Sequence, residues 1–122
     1  MAESLRKSIP SFDGSTARLW IAEIDGEMIG SIGIVPNSNS EAQLRWFLVH
    51  PDHRGRGLGR ELLNKALQFS RNRGFKSVFL FTVSDLKIAA HLYQWAGFRK
   101  TAEKTHQIWG KTIKEERYEL SL

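Results

Sequence analysis

The sequence predicts an α/β fold, a mixed central β-sheet with helices packed on its faces, on three observations. Residues 43–74 read as a strand, a glycine-rich turn and an amphipathic helix in direct succession. Ser77 to Val83 (SVFLFTV) is a nearly continuous apolar and β-branched run, the pattern of a strand buried on both faces of a sheet. Strand, helix and buried strand in that order imply a right-handed crossover between parallel neighbours, and such neighbours can splay at one end to admit a ligand. The 122 residues leave room for one core, so residues 1–122 are expected to form a single domain, with 1–17 a short N-terminal arm.

Taken in order, residues 1–16 are poorly patterned, contain Pro10 and Gly14, and read as a short helix or a loose arm. Arg18 to Ile24 and Glu27 to Val35 read as two strands joined by Asp25-Gly26, a dipeptide suited to a tight hairpin turn with positive φ. A polar loop, Pro36 to Ser40, leads to a strand in which Leu44, Trp46 and Leu48 alternate with Gln43, Arg45, Phe47 and Val49. Pro51 ends it, having no N–H for a ladder. Leu58, Leu62, Leu63, Ala66, Leu67 and Phe69 recur at helical spacing, which predicts a helix from Leu58 to Arg73 stopped by Gly74. After the buried strand, Ser84 or Asp85 is expected to cap a second helix, Leu86 to Ala96. Leu86, Ala89, Leu92, Tyr93 and Ala96 would then face the sheet, and Gly97 would close it. Phe98 to His106 and Glu116 to Leu122 read as the last strands, separated by a segment containing Ile108-Trp109-Gly110.

The first helix begins inside the run Arg54-Gly55-Arg56-Gly57-Leu58-Gly59-Arg60. The first N–H groups of a helix lack intrahelical partners and carry the positive end of its dipole. A first turn with little side-chain bulk therefore brings bare amides against an anion. With three arginines around it, the expected ligand is a pyrophosphate. The run is not a P-loop, since no Gly-Lys-Ser/Thr follows, and Gly-x-Gly-x-Gly is not the dinucleotide fingerprint.

Composition narrows the chemistry. The chain has no cysteine, which excludes disulfides, thiolate zinc sites and a cysteine nucleophile. No apolar run approaches a membrane span and the N-terminus lacks the apolar region of a signal peptide, so a cytoplasmic location with no membrane contact is expected. The net charge of +5 would also suit nucleic acid; much of it is concentrated in Arg54, Arg56, Arg60, Arg71, Arg73 and Lys76, next to the expected anion site, and charge alone does not decide between the two, while the placing of the glycine run between a strand and a helix makes nucleic-acid binding the weaker alternative.

Arg54-x-x-Gly57-x-Gly59 resembles the Arg/Gln-x-x-Gly-x-Gly/Ala loop of the GNAT acetyltransferases, which hold the diphosphate of acetyl-CoA at this strand-to-helix turn. Tyr93-Gln94-Trp95-Ala96-Gly97-Phe98 looks like the Leu-Tyr-x-x-x-Gly-Phe ending of the same fold. Leu44 to Val49, Thr82 to Leu86, Ala89 to Tyr93 and the tail with His106 and Trp109-Gly110 also resemble the acetyltransferase domain that follows a MarR-type DNA-binding domain in some bacterial regulators. No such DNA-binding domain is present in the sequence, so regulator function is not carried over. The resemblance implies the GNAT (acyl-CoA N-acyltransferase) fold, acetyl-CoA as cosubstrate without a metal, and a primary amine of a small molecule or peptide as acceptor. It places the cofactor against Arg54, Gly55, Arg56, Gly57, Leu58, Gly59 and Arg60, and Tyr93 beside the sulfur as the acid. Two departures stand out. Leu86 occupies the place of an asparagine often found seven residues before the tyrosine, and only about seventeen residues precede Arg18, where the family has a strand and one or two helices. Three readings stay open: a short natural form, completion of the sheet and acceptor wall by a partner chain such as a second copy in a homodimer, or impaired catalysis.

In such a transfer a base or a water relay must deprotonate the ammonium, an acid must receive the thiolate, and backbone N–H groups near Leu48 and Val49, freed where parallel strands diverge, can polarise the carbonyl. Glu41, at the start of the central strand, is the first candidate base and His106 the second. His50, Asp52 and His53 on an exposed turn are read as a polar loop, not a metal site. Trp46, Trp95 and Trp109 can line an acceptor pocket, although such spacings more often mean core, and Trp109 is preferred because its segment looks irregular. The rival from another class is a catalytically weak acyl-CoA-binding sensor or interaction module.

Overall fold

Asp25 and Gly26 take φ angles of 52° and 82°, the pair of positive values that a two-residue hairpin needs, and the chain folds back on itself there. The computed structural model describes the backbone of residues 4–7 and all of residues 17–122. Among these, the strands are β1 (Ser4–Lys7), β2 (Arg18–Ile24), β3 (Glu27–Pro36), β4 (Glu41–Val49), β5 (Ser77–Val83), β6 (Arg99–Ile108) and β7 (Lys111–Ser121). They form one sheet in the order β1-β2-β3-β4-β5-β7-β6, with α1 (Leu58–Asn72) joining β4 to β5 and α2 (Lys87–Ala96) joining β5 to β6. Only β4 and β5 run parallel, so the sheet is mixed, as the sequence predicts. β1 is an edge strand antiparallel to β2, which replaces the helix-or-arm expectation at Ser4–Lys7; the remainder of that expectation lies outside the described residues.

Both helices pack on one face. Leu58, Leu62, Leu63, Ala66 and Leu67 of α1 are buried against Ile32, Ile34, Leu44, Val78 and Leu80. Gly30 lets the helix come close, since a Cβ there would lie 3.1 Å from Leu62 Cδ1 and 3.2 Å from Leu58 Cδ2. α1 ends at Asn72, one residue before the expected stop, and Gly74 follows with φ 86°. In α2 the expected cap is corrected. Leu86 is the N-cap, makes no side-chain cap bond and is 53% exposed, so it does not face the sheet. Ser84 and Leu86 instead spend their N–H groups on the carbonyls of Lys114 and Val83, forming a turn.

The last hairpin also differs. β6 continues to Ile108 and β7 starts at Lys111, because Trp109 (φ 48°) and Gly110 (φ 76°) make a two-residue turn like that at Asp25-Gly26. The segment expected to be irregular is therefore the tip of a regular ribbon.

Two irregularities in β4 shape everything that follows. Against β3, Ser31 pairs with Leu48 but Gly33 pairs with Arg45, so β4 carries an extra residue, a bulge, and Trp46 there takes φ 54°. The bulge breaks the expected alternation: Ala42 and Leu44 face the helices, then Phe47 and Val49 do, while Trp46 and Leu48 turn to the other face. Against β5, the parallel pairing covers only Glu41–Gln43 with Ser77–Phe79. Beyond that the two strands part, and β5 stays paired with β7 alone up to Val83.

Candidate active site

The opening between β4 and β5 lies beside the start of α1. Gly57, with φ 83°, is the N-cap and offers no side-chain cap; Gly55 has φ 78°. At neither would a Cβ meet any atom within 4 Å, so these glycines are required by backbone conformation and leave the approach to the amides clear. The first intrahelical bond is from Glu61 N–H to the Gly57 carbonyl at 3.0 Å, so the N–H groups of Gly57, Leu58, Gly59 and Arg60 precede the ladder. Leu58 itself is buried in the core and can contribute only this backbone group. Gly59 has a different task. A Cβ there would lie 2.9 Å from Leu92 Cδ1, 3.6 Å from Phe47 Cζ and 3.8 Å from Val49 Cγ2, so its lack of side chain lets α1, α2 and β4 converge.

Charge gathers at this helix end. Arg54 donates from Nε to the Val49 carbonyl at 3.3 Å and ties the loop to the strand end. Arg56 is exposed, and the Arg60 guanidinium stacks over Trp95 of α2, 4.9 Å from the ring centroid. Arg71, Arg73 and Lys76 do not join them: they lie at the other end of α1, about 20 Å away at the usual helical rise. There the Arg73 and Arg18 guanidiniums stand 5.2 and 5.1 Å from the Phe69 ring.

The backbone of β4 sorts Leu48 from Val49. His50 N–H donates to the Ile29 carbonyl at 2.7 Å, and N–H directions alternate along a strand, so Leu48 turns its N–H toward β3 and Val49 turns its own toward the opening. Arg54 bonded to the Val49 carbonyl fits the same orientation.

Tyr93 stands at the same convergence. Only 6% exposed, its ring lies 6.0 Å from Phe47 and 5.9 Å from both Phe98 and Tyr118. Burial, with no charged or hydrogen-bonding partner adding to it, pushes the phenol up to about 12. The hydroxyl therefore keeps its proton throughout the neutral range.

Glu41 is the expected site residue that the fold sets apart. The strands part at the C-terminal end of β4, whereas Glu41 begins it, about 26 Å from Val49 at the usual strand rise. There it accepts from Arg117 Nη2 at 3.3 Å and from Asn37 Nδ2 at 2.9 Å. His106 lies on β6, two strands from β5, with Nε2 3.3 Å from Glu115 Oε1. Trp109 is 99% exposed at the tip of a regular hairpin, so the irregular segment for which it is preferred over Trp46 and Trp95 is absent. His50 Nδ1 accepts from Asp52 N–H at 3.1 Å, so the turn uses this imidazole as a cap. Among the described residues no group of three or more His, Cys, Asp and Glu could hold a metal.

A family model described as "Acetyltransferase (GNAT) family" matches residues 2–98. The chain belongs to the GNAT family of acetyltransferases. Among curated relatives it is 31% identical over 99 residues to human N-acetyltransferase 8B, covering 77% of this chain and 44% of that protein. To the probable N-acetyltransferase camello of Xenopus tropicalis it is 32% identical over 111 residues, covering 85% and 51%. The chain thus spans about half the length of these relatives. In fold it resembles a GNAT family acetyltransferase from Elizabethkingia anophelis solved with acetyl-CoA bound, with TM-score 0.79, 17% identity and 98% of each chain covered.

As a GNAT chain it has its glycine loop, parted strands and buried tyrosine in one place. The residues that sequence reasoning misses are Phe47 and Leu92, and for Trp46, already a candidate pocket residue, it misses the outward turn. Phe47 and Trp46 had no signal because a bulge reversed their faces, while Leu92 was assigned to the sheet and not to Gly59.

Proposed function

We propose that this protein is an acetyl-CoA-dependent N-acetyltransferase that passes the acetyl group directly to a primary amine of a small molecule or peptide, with residues 1–122 acting as one domain. The observation carrying this reading is the meeting of an uncapped helix N-terminus, clear of side chains at Gly55 and Gly57, with the strand end that leaves β5 beside Tyr93. When bound, acetyl-CoA supplies a thioester for the amine to attack and a thiolate that must leave. The amides from Gly57 to Arg60 are assigned to the diphosphate, with Arg54, Arg56 and Arg60 adding charge around it. Val49 N–H, on the open edge of β4, is assigned to the thioester oxygen.

Tyr93 is assigned to the departing sulfur. An ordinary thiol titrates near about 8.5, so a phenol near 12 holds its proton until charge develops on sulfur. The cleft that desolvates the phenol also raises the basicity of a thiolate within it, which brings the two closer. The acceptor ammonium must lose its proton before attack. Among the described residues no charged group adds to the burial that shifts Tyr93, so that proton is assigned to water at the open mouth, and Glu41 to its ion pair with Arg117. The chain holds no cysteine to carry an acyl group, which supports direct transfer.

Following thiol release from acetyl-CoA across a panel of primary amines tests the reading. Amine-dependent release is expected. Acetyl-CoA binding with no release for any amine would instead favour an acyl-CoA-binding module.

A further inference from the structure

The two faces of the sheet are unlike. α1 and α2 cover the Gly30 face, whereas a Cβ on Gly33 would lie 2.3 Å from Cε3 of Trp46, so the indole lies directly on the opposite face. Along β5, Val78 and Leu80 belong to the core under the helices, and Phe79 and Phe81 alternate with them. Arg117, in register with Phe81, has its guanidinium 4.6 Å from the Phe79 ring and bonds Glu41, which places these groups on that same side. Trp46 and Leu48 on one arm of the opening and Phe81 on the other therefore share a face that no helix covers among the described residues. They are 37%, 61% and 50% exposed.

Trp46 is held there by its backbone. A bulky residue at φ 54° is strained, and Ser31 Oγ fixes the bend by donating to the Trp46 carbonyl at 2.6 Å. Regular strand geometry would not need this arrangement; the bulge presents the indole beside the opening. Charge on this face is mostly committed. Glu41 and Glu119 each lie 3.3 Å from Arg117, and Glu115 lies 3.3 Å from His106. The Arg45 guanidinium stands 5.2 Å from the Trp46 ring. A cation thus stands beside the apolar patch, with no uncommitted carboxylate among these three to receive a second positive group.

An amine attacking a thioester held from the helix side approaches from this open side. Resting on the acetyl-transfer reading, we propose that the acceptor is a monoamine carried on a short arm from an aromatic or apolar body, which lies on Trp46, Leu48 and Phe81. Polyamines are selected against, because their second cation meets Arg45 while Glu41, Glu115 and Glu119 are already paired.

Thiol release from acetyl-CoA is measured with 2-phenylethylamine, n-butylamine and spermidine, for the wild type, Trp46→Ala and Phe81→Ala. Binding of the same amines to protein saturated with coenzyme A is measured by calorimetry. The wild type is expected to favour 2-phenylethylamine by about tenfold or more in kcat/KM. Each variant is expected to erase most of that preference by raising KM about tenfold, with acetyl-CoA affinity held within about twofold. Phe81→Ala lies away from the bulge, so the question stays answerable if Trp46→Ala fails to fold. Equal use of the three amines, preference for spermidine, or a preference that survives both substitutions overturns the assignment while leaving acetyl transfer standing. Selective binding of 2-phenylethylamine without thiol release supports the acceptor surface and removes the transfer reading. Neither selective binding nor release overturns both.

Discussion

The two ends of β4 have the same backbone and opposite work. At Glu41–Gln43 the strand is paired on both sides, with β3 and with β5, and its one carboxylate is held by Arg117 and Asn37. At Trp46–Val49 it is bulged against β3 and has left β5, so backbone groups and an indole face an opening. The lesson is that a charge at the paired end serves the sheet, while main-chain donors at the parted end are available to a ligand. α1 repeats the contrast. Its N-terminus is uncapped and faces that opening, whereas Arg71 and Arg73 near its C-terminus complement the negative end of the dipole, and Arg73 lies over Phe69.

The largest effect should come from Tyr93 at the parted end. Tyr93→Phe is expected to lower kcat about a hundredfold with acetyl-CoA affinity within about twofold; unchanged kcat would remove the hydroxyl from the chemistry.

The same substitution should alter stability at high pH. The unfolded tyrosine releases its proton near 10.0 and the buried one at about 12, so between those values the unfolded state binds fewer protons and stability falls as pH rises. Denaturant titrations from neutral pH upward should show wild type losing up to about 3 kcal/mol more than Tyr93→Phe above pH 10, with no difference in slope below.

At the helix start, Gly57→Ala forces a residue with a Cβ into φ 83°, costing about 1–2 kcal/mol of stability. It should also weaken acetyl-CoA binding about tenfold, because the methyl stands where the anion approaches the amides. Calorimetry showing unchanged affinity would separate this turn from the ligand. Gly59→Ala provides the contrast, since its methyl meets Leu92 and not the approach path.

The smallest effect belongs to the paired end. Glu41→Gln should cost under about 1 kcal/mol in thermal unfolding, as expected for a partly exposed ion pair, and leave the pH profile of turnover in place. Loss of its acidic limb would return Glu41 to the chemistry.

Much of this was legible in the sequence because glycine and apolar spacing speak through the backbone. Asp25-Gly26, the Gly55–Gly59 run and the helical repeat from Leu58 marked the hairpin, the anion-binding turn and α1. The bulge at Trp46 was not legible, since tryptophan carries no preference for positive φ and the period-2 pattern continues through it. β6 is exposed along nearly its whole length, so it shows no apolar alternation, and Trp-Gly hid a turn that Asn-Gly or Asp-Gly would have announced. The sequence places Glu41 at the start of the strand that opens at Leu48 and Val49, but it does not show that Arg117, 76 residues away, holds this carboxylate in the paired part of the sheet.

Backbone amide chemical shifts followed while acetyl-CoA is added to the purified 122-residue chain would test the contrast most directly. The largest changes are expected at Val49, Gly55, Gly57, Gly59 and Arg60. Changes confined to Glu41–Gln43 or to Arg71–Lys76, or none at saturating ligand, would contradict it.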